Sequence, residues 1–415
     1  MQKTIYKRKI VDKINNFLDS KEIIVLHGAR QVGKTSIIYY FIQKLEKQYN
    51  KNNIFYFDLE ISRFLKLMNS GYEELYNYLI ASGWKKNQKA FVFIDEIQYL
   101  NDPSKFLKLC HDHLGNKIKF IISGSSTFEI KKKFKNSLVG RIVDFEVWPL
   151  DFEEFLLFKN KNYNLTLKNL PQIIHDELKK LYQEYAIYGG YPQIVLENNI
   201  SKKEIYLSQI INTYIKKDIR DLADIRNIDK FNKLLEVLAS QSGNLLNILE
   251  LSNTINLSRQ TVEEYLFLLE NTYIIKLVKP FSKNKRSELF RTPKIYFIDH
   301  GLVNLLNFQT FPKVLSGNIF ETAIFSDLLK QYGKSSIYFW RTMAKQEVDF
   351  IINKKTKIIP IEVKLNINSF KSANLKYFFD LYKIKTGYAI FLKGERDCEK
   401  QNKIQYIYPW EIVNL

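Results

Sequence analysis

Only two cysteines, Cys110 and Cys398, occur in 415 residues, too few for a disulfide framework. That scarcity excludes the small stapled secreted scaffolds and fits a reducing compartment, so cytoplasmic residence is the expectation. No apolar run approaches the ~18 residues that a membrane span requires. Residues Met1 to Asn16 carry charges at close intervals with no apolar core, so no secretory signal is expected. Internal repeats and low-complexity stretches are also missing. What is present excludes disorder: 46% hydrophobic and 14% aromatic residues beside 26% charged ones. A chain of this length and apolarity holds about two to four domains.

Acidic residues are in deficit. Sixty-three Lys and Arg face 44 Asp and Glu, a net charge of +19. Such a balance suits a polyanionic partner, with solvated lysine for solubility as the alternative. The excess lies at the ends: residues 1–150 carry 25 basic and 15 acidic side chains, residues 151–310 carry 21 and 19, and residues 311–415 carry 17 and 10.

Short β-branched or aromatic runs alternate with helical patterns up to about Pro149. Strands are expected at Ile23–Leu26, Ile54–Leu59, Phe91–Ile94, Phe120–Ile122 and Ile142–Val147, which argues for a parallel sheet with helices on both faces. Helices are expected at Asp229–Ser242, Asn247–Thr254 and Ser258–Asn271, the last capped by Ser258. Strands at Ile274–Val278 and Lys294–Ile298 complete a winged helix-turn-helix pattern. From Asn318 a helix, Phe320–Tyr332, precedes strands at Ile337–Trp340, Val348–Ile352, Ile358–Val363 and Gly387–Leu392. The expected class is α/β, in four parts. A P-loop core spans 1–150, a helical lid or linker 151–228, a winged helix 229–308 and a nuclease-like α/β domain 318–415.

Residues 28–35 read Gly-Ala-Arg-Gln-Val-Gly-Lys-Thr between an apolar strand and a helix starting at Ser36. Gly28 and Gly33 let the backbone of Ala29, Arg30, Gln31, Val32 and Ser36 wrap phosphate oxygens, helped by the helix N-terminus. Lys34 is placed for the β- and γ-phosphates and Thr35 for Mg²⁺. Phe91–Glu96 forms a buried strand ending in Asp95, near the metal, and Glu96, placed to polarise water. Ser125, in Ser-Gly-Ser-Ser after the next strand, is a candidate γ-phosphate sensor, or part of a plain turn. Arg141 is a candidate arginine finger, or a structural arginine. No guanine-reading Asn-Lys-x-Asp motif sits in a convincing strand context.

His27–Thr35, Phe91–Gln98, Ile122–Ser126 and Leu138–Ile142, with Trp148–Phe155, resemble the bacterial and archaeal AAA-type ATPases of the additional-strand class. Tyr188–Pro192 (Tyr-Gly-Gly-Tyr-Pro), Phe297–Leu302, Phe320-Glu321, Glu347–Phe350 and Pro360–Lys364 resemble the subgroup with a C-terminal domain of unknown function. The resemblance implies a nucleotide-hydrolysing core that prefers adenine, a winged-helix middle and a restriction-endonuclease-like end.

In that last part, Glu321 lies on a helix, Asp349 on one strand, and Glu362 and Lys364 on one face of the next. This order resembles the Asp…Glu-x-Lys nuclease pattern, in which carboxylates hold Mg²⁺ and a lysine offsets charge. Convergence on one solvent-accessible point is expected, with a second divalent cation. Glu347 is a further ligand or a partner for Arg341. Seven basic residues (Lys276, Lys279, Lys283, Lys285, Arg286, Arg291 and Lys294) face only Glu288 around the hairpin and suit sequence-independent DNA contact, or else inter-domain packing. Cys110-His111-Asp112-His113 lacks a distant partner pair for a metal site. The functional expectation is Mg-ATP binding and hydrolysis coupled to the winged helix and nuclease-like module on or near DNA. The alternative is a nucleotide-gated scaffold or regulator that binds a protein partner, or an oligomer, without cleaving.

Overall fold

The computed structural model describes residues 5–124, 138–167, 170–218, 227–282, 292–354, 357–394 and 403–415. Contacts divide the chain into two units. One is Met1–Trp148 with Asn271–Tyr273, and the other is Pro149–Glu270 with Ile274–Leu415.

The first unit is built on five parallel strands: β1 (Ile23–His27), β2 (Ile54–Asp58), β3 (Ala90–Asp95), β4 (Ile118–Gly124) and β5 (Ile142–Glu146), in the order β2-β3-β4-β1-β5. β1, β3 and β4 are buried throughout, because helices cover both faces of a parallel sheet. The edge strands β2 and β5 are only partly buried. β4 stands between β1 and β3, so an additional strand separates the two that carry the site residues. Helix α1 (Lys34–Leu45) follows β1 directly after the glycine-rich loop. One core joins Leu75, Leu79, Trp84 and Leu107 to Val25, Val92 and Phe120 of the sheet.

The second unit opens with helices, among them α2 (Gln172–Tyr188), α3 (Ile228–Ser240), α4 (Ile248–Ile255) and α5 (Arg259–Asn271). Ser258 Oγ accepts from Thr261 N at 3.1 Å at the start of α5. β6 (Ile275–Val278) and β7 (Lys294–Phe297) pair antiparallel, Ile275 opposite Phe297. Helices α6 (His300–Phe308) and α7 (Gly317–Tyr332) lead to β8 (Ile337–Arg341), β9 (Glu347–Lys354) and β10 (Lys357–Asn366). Helix α8 (Ala373–Tyr382), β11 (Gly387–Lys393) and β12 (Ile404–Ile407) complete a sheet in the order β12-β11-β10-β9-β8. β8, β9 and β10 run antiparallel, and β10, β11 and β12 run parallel.

The boundaries expected at 228/229 and between 308 and 318 fall inside this second unit. The reason is shared burial. Helix α6 packs against both α2 and α3. Tyr182 and Tyr185 of α2 donate to Asp327 of α7 at 2.9 and 2.8 Å. Among the described residues no helix is long and apolar enough to cross a membrane.

Candidate nucleotide site and C-terminal carboxylate cluster

The loop from Gly28 to Gly33 owes its shape to two glycines. A Cβ on Gly28 would lie 2.1 Å from the Val147 carbonyl oxygen, because Val147 N donates to His27 O at 2.7 Å. Gly33, at φ 98°, takes a left-handed conformation that L side chains disfavour, and α1 starts at the next residue. Lys34 is buried and donates to the carbonyls of Gly28 and Ala29 at 2.9 and 2.8 Å. Burial pulls its ammonium down to about 8, against the pull of Glu96 and Asp95. Its hydrogen-bond partners among the described residues are neutral carbonyls, while Glu96 and Asp95 act on it through their charge.

Thr35 Oγ1 donates to Asp95 Oδ2 at 2.7 Å, joining the first turn of α1 to the carboxyl end of β3. Tyr56 donates to the same oxygen at 3.2 Å. Ser123 Oγ donates to Asp95 Oδ1 and accepts from Glu96 N at 3.3 Å. Glu96 sits at φ 58°, a left-handed conformation that costs a non-glycine residue about 1–3 kcal/mol and that clusters at functional sites. Burial pushes its carboxyl up, with Lys34 pulling the other way, and Gln98 donates to its Oε2. A hydroxyl–carboxylate pair for a metal, a buried ammonium and a second carboxylate therefore meet at the ends of adjacent elements.

Ser125 lies outside the described residues. The serine that reaches Asp95 and Glu96 is Ser123, two positions earlier. Arg141 is engaged elsewhere: its Nε and Nη2 donate to Asp112 at 2.8 and 3.1 Å. Cys110 is buried, His111 bonds Asp112 at 3.0 Å, and His113 stacks on Tyr72. Sequence reasoning gave no role to His27, which is buried and hydrogen-bonded to the Tyr273 hydroxyl one residue before the loop.

In the second unit, β9 and β10 bring the nuclease-like residues together. Asp349 and Glu362 lie one step beyond the paired positions Phe350 and Ile361. Asp349 Oδ2 accepts from Val363 N at 2.7 Å, and Lys364 Nζ bridges Asp349 at 3.2 Å and Glu362 at 2.8 Å. Burial raises the Glu362 carboxyl, with Asp349 adding to the rise and Lys364 opposing it. Glu321, on α7, accepts from Tyr296 at 2.6 Å, and its carboxyl is likewise pushed up by burial and by Asp349. Glu347 pairs with Arg341 at 2.7 Å.

Two expectations need correction here. The cluster was expected at a solvent-accessible point; Asp349 and Glu362 are buried, while the side chains of Lys364 and Glu321 keep 30% and 19% of their surface exposed. Lys294 was expected on a DNA-facing wing. It is 3% exposed, with Nζ 2.5 Å from Glu347 and 3.6 Å from Glu321. Burial alone would depress that ammonium, but Glu321, Asp349 and Glu347 more than offset it and hold it charged. Lys276 likewise pairs with Glu270. Lys283, Lys285, Arg286, Glu288 and Arg291 lie outside the described residues. A resident divalent cation does not fit this arrangement: among the described residues no group of three or more His, Cys, Asp or Glu is placed to hold one.

Three stretches of the chain match family models. Residues 20–156 match a family model described as an AAA domain. Residues 179–312 and 316–413 match two domains of unknown function, DUF8612 and DUF4143. An uncharacterized protein of Methanocaldococcus jannaschii is 29% identical over 368 residues, covering 87% of this chain and 79% of its own. One of Haemophilus influenzae is 26% identical over 388 residues, covering 91% and 92%. Among solved structures, a Walker-type ATPase of Pyrococcus abyssi aligns with TM-score 0.45 and 15% identity over 74% of this chain and 97% of that one. By the family matches and its own sheet order, this chain is similar to P-loop ATPases joined to a C-terminal domain of unknown function.

Proposed function

We propose that the protein binds Mg-ATP in its first unit and hydrolyses it, and that nucleotide state controls the second unit. The observation that carries this reading is the Thr35–Asp95 hydrogen bond, with Lys34 and Glu96 beside it. In this reading the backbone from Gly28 to Ser36 cradles the phosphates, and Lys34 moves from the Gly28 and Ala29 carbonyls to the β- and γ-phosphates. Thr35 and Asp95 take the Mg²⁺ that arrives with ATP. Glu96 orients the attacking water, and its burial suits it to take up a proton. Ser123, already bonded to both acids, joins them as the group that senses the γ-phosphate.

The test is a pair of substitutions. Lys34→Ala is expected to abolish ATP binding, read by calorimetric titration. Glu96→Gln is expected to keep binding and lower turnover by about 100-fold or more, the scale of a positioned acid–base group. Undiminished turnover in Glu96→Gln would remove its role.

For the second unit, the reading favoured by the structure is a nucleotide-controlled module that does not cleave nucleic acid in this state. Lys276 and Lys294 are spent on Glu270 and Glu347 rather than offered to phosphate. Action on or near DNA is the competing reading, and salt dependence separates the two. A phosphate footprint makes log affinity fall with log salt at a slope of about −0.9 per contact. Binding to duplex or single-stranded DNA is expected to be weak and to survive Lys276→Ala unchanged. A steep slope that this substitution flattens would restore the DNA reading.

A further inference from the structure

The carboxylate cluster of the second unit is completed by a strand outside its own sheet. Lys294 and Tyr296 are two residues apart on β7, so strand geometry puts them on one face. Both reach the cluster: Lys294 Nζ approaches Glu347 Oε1 and Glu321 Oε1, and the Tyr296 hydroxyl donates to that same Glu321 oxygen. The charges divide cleanly. Lys364 serves Asp349 and Glu362, and Arg341 serves the outer oxygen of Glu347. Lys294 is thus the cation bonded to the inner oxygen of Glu347 and nearest to Glu321. Four acids share three bases among the described residues, and burial together with Asp349 pushes the Glu321 and Glu362 carboxyls up. A second observation concerns Glu362, which is 6% exposed and whose Oε2 is buried without a hydrogen-bond partner among the described residues. A buried carboxyl oxygen with no partner among the described residues is an oxygen that Lys294 leaves unused.

Hard divalent cations take carboxylate oxygens at about 2.0–2.6 Å and tolerate no ammonium among their ligands. A lysine held at hydrogen-bond distance by these acids therefore competes with such an ion on both charge and space. We propose that Lys294 is a built-in counter-cation that keeps the C-terminal carboxylate site free of metal, and that withdrawal of Lys294 exposes the site to Mg²⁺ or Mn²⁺. The inference rests on reading Glu321, Asp349, Glu362 and Lys364 as one functional site. Without Lys294, Glu321 and Glu347 lose their shared partner, and a divalent ion can replace the lost charge. Glu362 Oε2 supplies a ligand oxygen that nothing else uses.

The experiment titrates Mn²⁺ into the full chain without nucleotide, so that the ATP site contributes no metal binding. Calorimetry and thermal unfolding are read for the wild type, Lys294→Met, and Lys294→Gln, which keeps a donor for Glu347 if the methionine variant fails to fold. Release of the site should tighten Mn²⁺ binding by about tenfold or more in either variant. Mn²⁺ should also restore the melting temperature that the variant loses, and adding Asp349→Asn should cancel both effects. If the wild type binds Mn²⁺ through Asp349 as tightly as the variants do, the counter-cation role is overturned while the site reading stands. If no variant binds Mn²⁺, both are overturned.

Discussion

Gly28 shows how one residue type can be required by a neighbour more than 100 positions away. Any side chain there meets the Val147 carbonyl oxygen, which β1 and β5 hold in place by parallel pairing. Gly28→Ala must separate the strands or displace the loop. It should lower unfolding free energy by about 1–3 kcal/mol, the usual cost of overpacking, and weaken ATP binding with it. Urea unfolding and nucleotide titration of the same variant check this. Unchanged values for both would show that the close approach does not constrain the loop. At this scale the candidate nucleotide residues are legible in sequence, since Lys34, Thr35 and Asp95 sit in short segments whose spacing suits phosphate and metal chemistry, and the structure brings Thr35 and Asp95 into contact. Lys294 is not legible. In sequence it is one of seven basic residues around a hairpin, and only burial against Glu347 and Glu321 distinguishes it. Ser123 was within reach of the same reasoning, because it opens the Ser-Gly-Ser-Ser segment that follows the expected strand Phe120–Ile122.

At the scale of elements, apolar period and length locate every strand of the two five-stranded sheets except β12 to within a few residues. Buried strands of a parallel sheet read as continuous β-branched and aromatic runs, and β3 is the clearest case. Helix α8 and β12 are among the elements that carried too little signal. Helix α8 shows one short apolar stripe, Leu375, Phe378 and Phe379, which gains meaning only against Val348 and Ile351 of the sheet. β12 has four residues at a sheet edge. Long-range pairing also joins motifs that look unrelated in sequence. Asp299 accepts from Gly301 N and Leu302 N at the start of α6, at 3.0 and 3.3 Å, and from Gly190 N at 2.8 Å. The Tyr188–Pro192 turn and the helix after β7 are therefore tied by one buried carboxylate. Gly189 is required beside it, since a Cβ there would lie 2.3 Å from Asp299 Oδ1.

At the largest scale, the second unit is joined through Asp327. Its carboxylate accepts from Phe152 N at 3.2 Å and from the hydroxyls of Tyr182 and Tyr185, so it links the start of the unit, α2 and α7. Composition gave no hint of this joint, because tyrosine and aspartate read as ordinary surface residues until burial pairs them. Burial raises the Asp327 carboxyl to about 6, although Lys330 pulls it down. The sign of the consequence follows from linkage. A carboxyl whose folded value exceeds its unfolded value of about 3.9 favours the folded state most when protonated. That contribution is complete below the unfolded value and is lost as pH rises through about 6. From about pH 5 to about pH 7.5 the loss amounts to about 1–1.5 kcal/mol. Asp327→Asn keeps an acceptor for the tyrosines and carries no titrating proton. Urea unfolding at the two pH values should therefore show a smaller decline in Asp327→Asn than in the wild type, by about that amount. Glu321 and Glu362 are also raised and contribute declines of the same sign, but they are present in both proteins and cancel in the difference. Equal declines in the two proteins would mean that Asp327 is ionised throughout this range, with Lys330 and the tyrosine hydroxyls outweighing its burial.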